Sequence, residues 1–143
     1  MNITHIEDIR DHAVVVAVAH DRSRLWLLND EHPSSPYVID RVEPPHIHVR
    51  SAQAQHGHAS EIGEDAFFEE IAIAINPATS IVLLGHGTGK ANAAERFARY
   101  LRDHRKSISI KVLALEVVNL PALTDGEVLR EARRKWKAMT LRA

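Results

Sequence analysis

Residues able to do chemistry gather at three places in this chain. The first is Gly85-His-Gly-Thr-Gly-Lys90, which follows the apolar run SIVLLG and precedes helix-forming sequence. Gly85, Gly87 and Gly89 would leave backbone amides exposed at a strand-to-helix turn, with Thr88 and Lys90 adding a hydroxyl and a cation, so the stretch can hold an anion. It departs from the phosphate loop of nucleoside triphosphate hydrolases: one residue is missing between the glycines, and Ala91 stands where the magnesium-binding hydroxyl belongs. The same glycines serve equally as a turn required by close packing of strand on helix. The second place is His46-x-His48, on a possible strand where alternate residues share a face and two imidazoles can hold one zinc, with His56-x-His58 following in a polar stretch. No carboxylate or cysteine stands at a fixed ligand offset from them, and exposed loop histidines explain the pattern as well. No metal or other cofactor is assigned. A serine triad has no G-x-S-x-G elbow to carry it, and the absence of cysteine excludes thiol nucleophiles, thiolate metal sites and disulfides.

The third place is a set of cations late in the chain. Arg96, Arg99, Arg102, Arg105 and Lys106 cluster in one segment, and Arg130, Arg133, Arg134, Lys135 and Lys137 in another. Arg99 and Arg102, and likewise Arg130 and Arg134, fall three or four apart, which puts each pair on one helical face able to meet phosphates. Up to Gly85 there are five Lys and Arg against thirteen Asp and Glu; beyond it, thirteen against six, although the whole chain carries only −1. Such segregation suits one anion-facing surface on an acidic body, with the late cations converging on polyanionic RNA. It suits equally two halves that neutralise each other across the fold. Aromatic residues amount to 5% and serve the core, so backbone or shape recognition is expected rather than base stacking.

The elements that must position these residues follow from hydrophobic periodicity. AVVVAVA, 13 to 19, is β-branched and apolar on both faces, as in a central strand covered on both sides. HDRSR supplies turn chemistry and LWLLN, 25 to 29, a hairpin partner. YVIDRV and HIHVR are strand pieces broken by Pro44 and Pro45, which suit an edge. SAQAQHGHASEIG is a polar loop. EDAFFEEIAIAI, 64 to 75, sets Phe67, Phe68, Ile71 and Ile75 at helical spacing, with carboxylates early, where the helix dipole favours them. SIVLLG is a buried strand, and KANAAERFARYLRDH a helix with Ala93, Phe97, Tyr100 and Leu101 on one face. IKVLALEVV is a further strand. A last helix opens on the capping box Thr124-Asp-Gly-Glu127 and runs through LREARRKWKAM. The order β-β-β-α-β-α-β-α implies an α/β fold: a mixed five-stranded sheet flanked by helices. With 143 residues, 45% of them apolar, one domain over 1–143 is expected. No apolar run approaches the roughly eighteen residues of a membrane span, and the start MNITHIEDIRD is acidic where a signal peptide is basic, so a cytoplasmic protein without membrane contact is expected. An open sheet edge near Pro44 offers a second copy a place to pair, giving a homo-oligomer.

From EDAFFEEIAIAI through SIVLLGHGTGKANAAERFARYLRDH to KVLALEVVNLPALTDGEVLREARRKW, the chain resembles the small bacterial translational-machinery proteins related to the central domain of archaeo-eukaryotic peptide-chain release factors and pelota. TDGEVLREARR is the most specific piece, and the likeness spans about residues 12–137. It implies a ribonuclease-H-like sheet and a ribosome or RNA partner. In release factors the loop before the first helix carries Gly-Gly-Gln, which hydrolyses the peptidyl-tRNA ester. Here that loop reads Ala52-Gln-Ala-Gln-His-Gly-His58, keeping Gln53, Gln55 and Gly57 but no glycine pair. Ala52 and Ala54 resist the backbone angles that adjacent glycines allow. The resemblance thus implies an RNA- or ribosome-associated accessory protein with Gln53, Gln55, His56, Gly57 and His58 as a probing loop. The alternatives are ester hydrolysis with Gln53 or Gln55 positioning water, and a small-anion or nucleotide sensor at Gly85 to Lys90.

Overall fold

The computed structural model describes residues 9–28, 35–42 and 63–141. Five strands, β1 (Ala13–Val18), β2 (Arg22–Leu27), β3 (Tyr37–Asp40), β4 (Ser80–Gly85) and β5 (Val112–Val117), form one sheet in the order β3-β2-β1-β4-β5. β1, β4 and β5 run parallel, and β2 is antiparallel to both its neighbours. Helix α1 spans 63–75, followed by α2 (Ala93–His104), the short α3 (Lys106–Ser109) and α4 (Asp125–Leu141). The sheet is the mixed, helix-flanked α/β sheet that the alternation of patterns implied.

The period-two rule of strands explains how the sheet is covered on both faces. Val14, Val16 and Val18 of β1 point into one apolar cluster with Leu25, Leu27, Ile81 and Leu83, roofed by Phe67, Phe68, Ile71 and Ile75 of α1 and Ala93, Ala94, Phe97 and Leu101 of α2. Ala13, Val15 and Ala17 point the other way, with Trp26, Val82 and Leu84, and meet Leu120 and Val128, Leu129 and Ala132 of α4. Phe68 joins the two roofing helices, its ring centroid 5.3 Å from Phe97 and 5.8 Å from Tyr100. Burying each side chain of this size contributes about 1.5–3 kcal/mol, so the sheet is held mainly by these two layers.

Three features differ from the sequence reading. The HDRSR stretch is mostly strand: only His20 and Asp21 make the turn, Ala19 N–H bonds the Arg22 carbonyl at 2.9 Å, and Ser23 and Arg24 pair with Val18 and Ala17. Cross-strand pairing overrides the polarity of these residues. The second helix begins at Ala93, not Lys90, because Gly89–Ala91 is a 3-10 turn and Asn92 is the N-cap. A separate short helix, α3, follows α2 in a stretch to which the sequence patterns assigned no element. Of the two candidate strand pieces, YVIDRV contributes β3, while HIHVR lies outside the described residues.

The capping box at the head of α4 forms as its spacing implied. Thr124 N–H donates to Glu127 Oε1 at 2.9 Å, and Glu127 N–H to Thr124 Oγ1 at 3.2 Å. The Thr124 backbone and then its hydroxyl hold the Glu127 carboxyl below its ordinary value. A lowered folded-state value means that the stabilisation is present above the unfolded carboxylate range and is lost as pH falls through the folded one. Thr124→Ala is therefore expected to cost about 1 kcal/mol at neutral pH. Urea unfolding at pH 7 and pH 3 should show a smaller difference between variant and wild type at the lower pH.

Candidate nucleic-acid interface

The late cations do not converge. α2 packs on the sheet face shared with α1, whereas α4 packs on the opposite face, so the sheet itself separates the two basic segments. The expectation of a single surface is corrected by the alternation of β1 and β4, which demands a helical roof on each side. Several cations are also matched by acids from the first half of the chain. Arg96 Nε donates to Glu64 Oε1 at 2.9 Å, and Arg105 bonds Glu69 through Nε at 3.0 Å and through Nη2. Tyr100 O–H shares Glu69 at 2.8 Å, and burial, then the charge of Asp65, pushes the phenol up from its usual value. The acidic early helix and the basic α2 neutralise each other, as the second reading of the charge split required.

On α4, Arg134 bonds Glu131, whose carboxyl it holds below the usual range, and Lys135 stands 3.6 Å from Glu116 on β5. Pairs this exposed contribute at most about 1 kcal/mol. Their larger effect is on which cations remain available. Arg99, Arg102 and Lys106 are exposed and make no ion pair with a described residue; Arg99 and Arg102, three apart, share one side of α2, and Lys106 opens α3 just beyond its end. Arg130 and Lys137 are exposed on α4, and Arg133 is half-buried there.

A charged chain ties together the segments around this face. Arg41, whose side chain is only 3% exposed, donates through Nη1 to Glu64 Oε2 at 3.4 Å and to the His20 carbonyl at 3.4 Å. Glu64 also accepts from Arg96 Nε and, at 3.2 Å, from Nη2, while Arg96 Nη1 donates to the Lys90 carbonyl. The β1–β2 turn, the end of β3, the start of α1 and the glycine turn are thereby joined through one carboxylate. Arg41 and Glu64 stand close to the two ends of the segment 43–62. His46, His48, Gln53, Gln55, His56, Gly57 and His58 fall in that segment and lie outside the described residues. Among the described residues no group of three His, Asp or Glu is arranged to hold a metal ion.

The glycine turn is organised around Asn92. Its buried side chain accepts from the amides of Ala94 at 2.9 Å and Glu95 at 3.2 Å and donates to the Gly87 carbonyl at 3.1 Å. The first amides of α2 are thus met internally, and Glu95 adds a negative charge to the first turn. A Cβ on Gly85 would lie 1.9 Å from Asn92 Oδ1, so close packing requires that glycine, while Gly87 and Gly89 take positive φ of 90° and 56°. Thr88, Gly89 and Lys90 remain exposed.

The sequence matches no family model, and no curated protein matches it. Among solved structures, Archaeoglobus fulgidus Pelota matches at TM-score 0.51 with 12% identity over 94% of this chain. The chain shares that fold. Thermoplasma acidophilum Pelota gives TM-score 0.47 with 20% identity over 79% of the chain, and an archaeal translation termination factor 0.49 with 12% over 94%. The matches cover 38%, 30% and 42% of these three solved chains in turn, under half of each. No helix among the described residues is long and apolar enough to cross a membrane.

One group of residues escaped the sequence reading. A cleft of about 360 Å³ opens beyond the carboxyl ends of β1 and β4, lined by His20, Asp21, Arg24 and His86 among apolar residues. A signal was there: each of the two most apolar strands is followed almost at once by a histidine, His20 after AVVVAVA and His86 after SIVLLG. Only the pairing of β1 with β4 makes those two positions neighbours.

Proposed function

We propose that this protein is an RNA-associated accessory factor of translation that binds phosphate backbone rather than turning over a substrate, with Arg99, Arg102 and Lys106 as its principal contacts. The observation carrying this reading is that group of exposed cations, none of which is within ion-pair distance of a described acid, although Glu95 and Asp103 share the helix with Arg99 and Arg102. Three phosphate contacts account for a salt-sensitive, sequence-independent attraction, the kind that holds a small protein on a ribosomal surface. The resemblance of residues 12–137 to translational-machinery proteins and the fold shared with Pelota supply the setting, and a cytoplasmic location follows from it. Arg130, Arg134 and Lys137, on the other sheet face, would meet a different stretch of RNA or none. Arg96, Arg105 and Lys135 position acidic partners instead. Gly85, Gly87, Thr88, Gly89 and Lys90 are read as a packing turn beside the cleft that His86 and Ala91 line, rather than as a phosphate loop.

Sedimentation of tagged protein through sucrose gradients provides the test. Co-migration with ribosomal particles at low salt, released by raising the salt, is expected for wild type and lost on reversing the charge of all three residues. Wild-type protein remaining at the top of the gradient, from both growing and starved cells, would refute the reading.

A further inference from the structure

The cleft beyond β1 and β4 has the placement, size and chemistry of a ligand site. From β1 the chain turns to β2 on one side, and from β4 it passes through α2 to β5 on the other, while β1 and β4 lie parallel and adjacent. The crevice between their carboxyl ends is therefore a point where strand order reverses, the place where open α/β sheets bind ligands. Its volume of about 360 Å³ is at the small end of the range for ligand pockets, room for one small group. Buried Val18 and Ala93, with Leu120 and Pro121, provide apolar surface, and the exposed His20, Asp21 and His86 bring two flat imidazoles and an acceptor carboxylate.

The cleft is also held in shape. Arg24 on its wall is fixed by Asp125 at 2.5 Å and lies over the Trp26 ring at 5.5 Å. The turns carrying His20 and His86 are tied through Arg41, Glu64 and Arg96 by carbonyl bonds at His20 and Lys90. Lys90, exposed, directly precedes the lining Ala91.

We propose that this cleft takes one unstacked nucleotide of single-stranded RNA. The base rests on the apolar surface against the imidazoles of His20 and His86, since histidine rings stack on splayed bases. Asp21 accepts from an N–H on the base edge, and Lys90 meets the phosphate. Duplex RNA, whose bases are stacked, has nothing to insert. The inference rests on the RNA-binding reading above, but on different residues.

Fluorescence anisotropy of a labelled ten-nucleotide single-stranded RNA, with adenosine and guanosine monophosphates and an RNA duplex as competitors, tests it on the full chain. His20→Ala and His86→Ala alter exposed side chains, and thermal melts confirm that each variant folds. Each is expected to weaken single-strand binding about tenfold while leaving duplex binding unchanged. Wild-type affinity in both variants, with binding still lost on charge reversal at Arg99, Arg102 and Lys106, overturns the cleft and leaves the functional proposal standing. No binding of any RNA by wild type overturns both. Monophosphates bound in a manner sensitive to both histidines, without binding of the single strand, would assign the cleft to free nucleotides and overturn the strand assignment.

Discussion

Replacing Gly85 with alanine is expected to lower unfolding stability by about 2–5 kcal/mol, the largest effect of any single methyl addition in the described structure. The new Cβ would fall 1.9 Å from Asn92 Oδ1 and 2.6 Å from Ala94 Cβ. Neither neighbour can yield cheaply, since Asn92 is fully buried and bonds two amides and a carbonyl, and Ala94 is fixed in the first turn of α2. Overpacking alone costs about 1–3 kcal/mol, and displacing the cap adds about 1–2. Asn92→Ala by itself removes only the cap and is expected to cost about 1–2 kcal/mol. The double variant should be more stable than the sum of the single effects by about 1 kcal/mol or more, because removing the carboxamide clears much of the space. Gly126→Ala is the contrast: nothing lies within 4 Å of its added Cβ and it sits in α4, so stability should rise by a few tenths to about 1 kcal/mol. Urea midpoints measured at a common slope decide these cases; strict additivity of the first two would show that the clash is not with Asn92.

Glu64→Ala is expected to cost about 2–3 kcal/mol, well above any other ion-pair deletion among the described residues. Removing one partner of a fully buried pair costs about 3–5 kcal/mol; the 21% exposure of Glu64 and the 27% exposure of Arg96 lower that range. Arg41, at 3% exposure, loses one of its partners in a site water scarcely reaches. Glu131→Ala removes only an exposed pair with Arg134 and should change stability by less than about 0.5 kcal/mol. Amide exchange would add a local signature: protection around His20 and Lys90 should fall in the Glu64 variant, because Arg41 and Arg96 hold those carbonyls. Equal urea midpoints for the Glu64 and Glu131 variants would show that the network is an ordinary surface cluster.

What could be read from the sequence was decided by periodicity. The unbroken AVVVAV run declares a strand buried on both sides, and the structure divides its residues alternately between two cores. Phe67, Phe68, Ile71 and Ile75 declare the inner face of α1, and the Thr124–Glu127 spacing declares the start of α4. Contacts between distant segments carried no such signal. Arg22, Ser23 and Arg24 look like turn residues until β1 pairs with them, and Asn92 looks like an ordinary polar residue until α2 needs a cap beneath Gly85. The charge split was visible as a count, but its outcome depended on α1 lying beside α2, where Glu64 and Glu69 meet Arg96 and Arg105. The opposite placement of α4 follows from β1 presenting Val15 and Ala17 away from α2, a consequence available from alternation once the helices are assigned to faces.

The salt dependence of RNA affinity tests the binding account most directly. For single strands, log affinity falls with log salt at a slope of about 0.7 per phosphate contacted, so reversing charge at Arg99, Arg102 and Lys106 should reduce the slope by about 2. Reversal at Arg130, Arg134 and Lys137, across the sheet, should leave it nearly unchanged. Equal slopes for wild type and the α2 variant, or a loss confined to the α4 variant, would contradict the assignment of the RNA-facing surface.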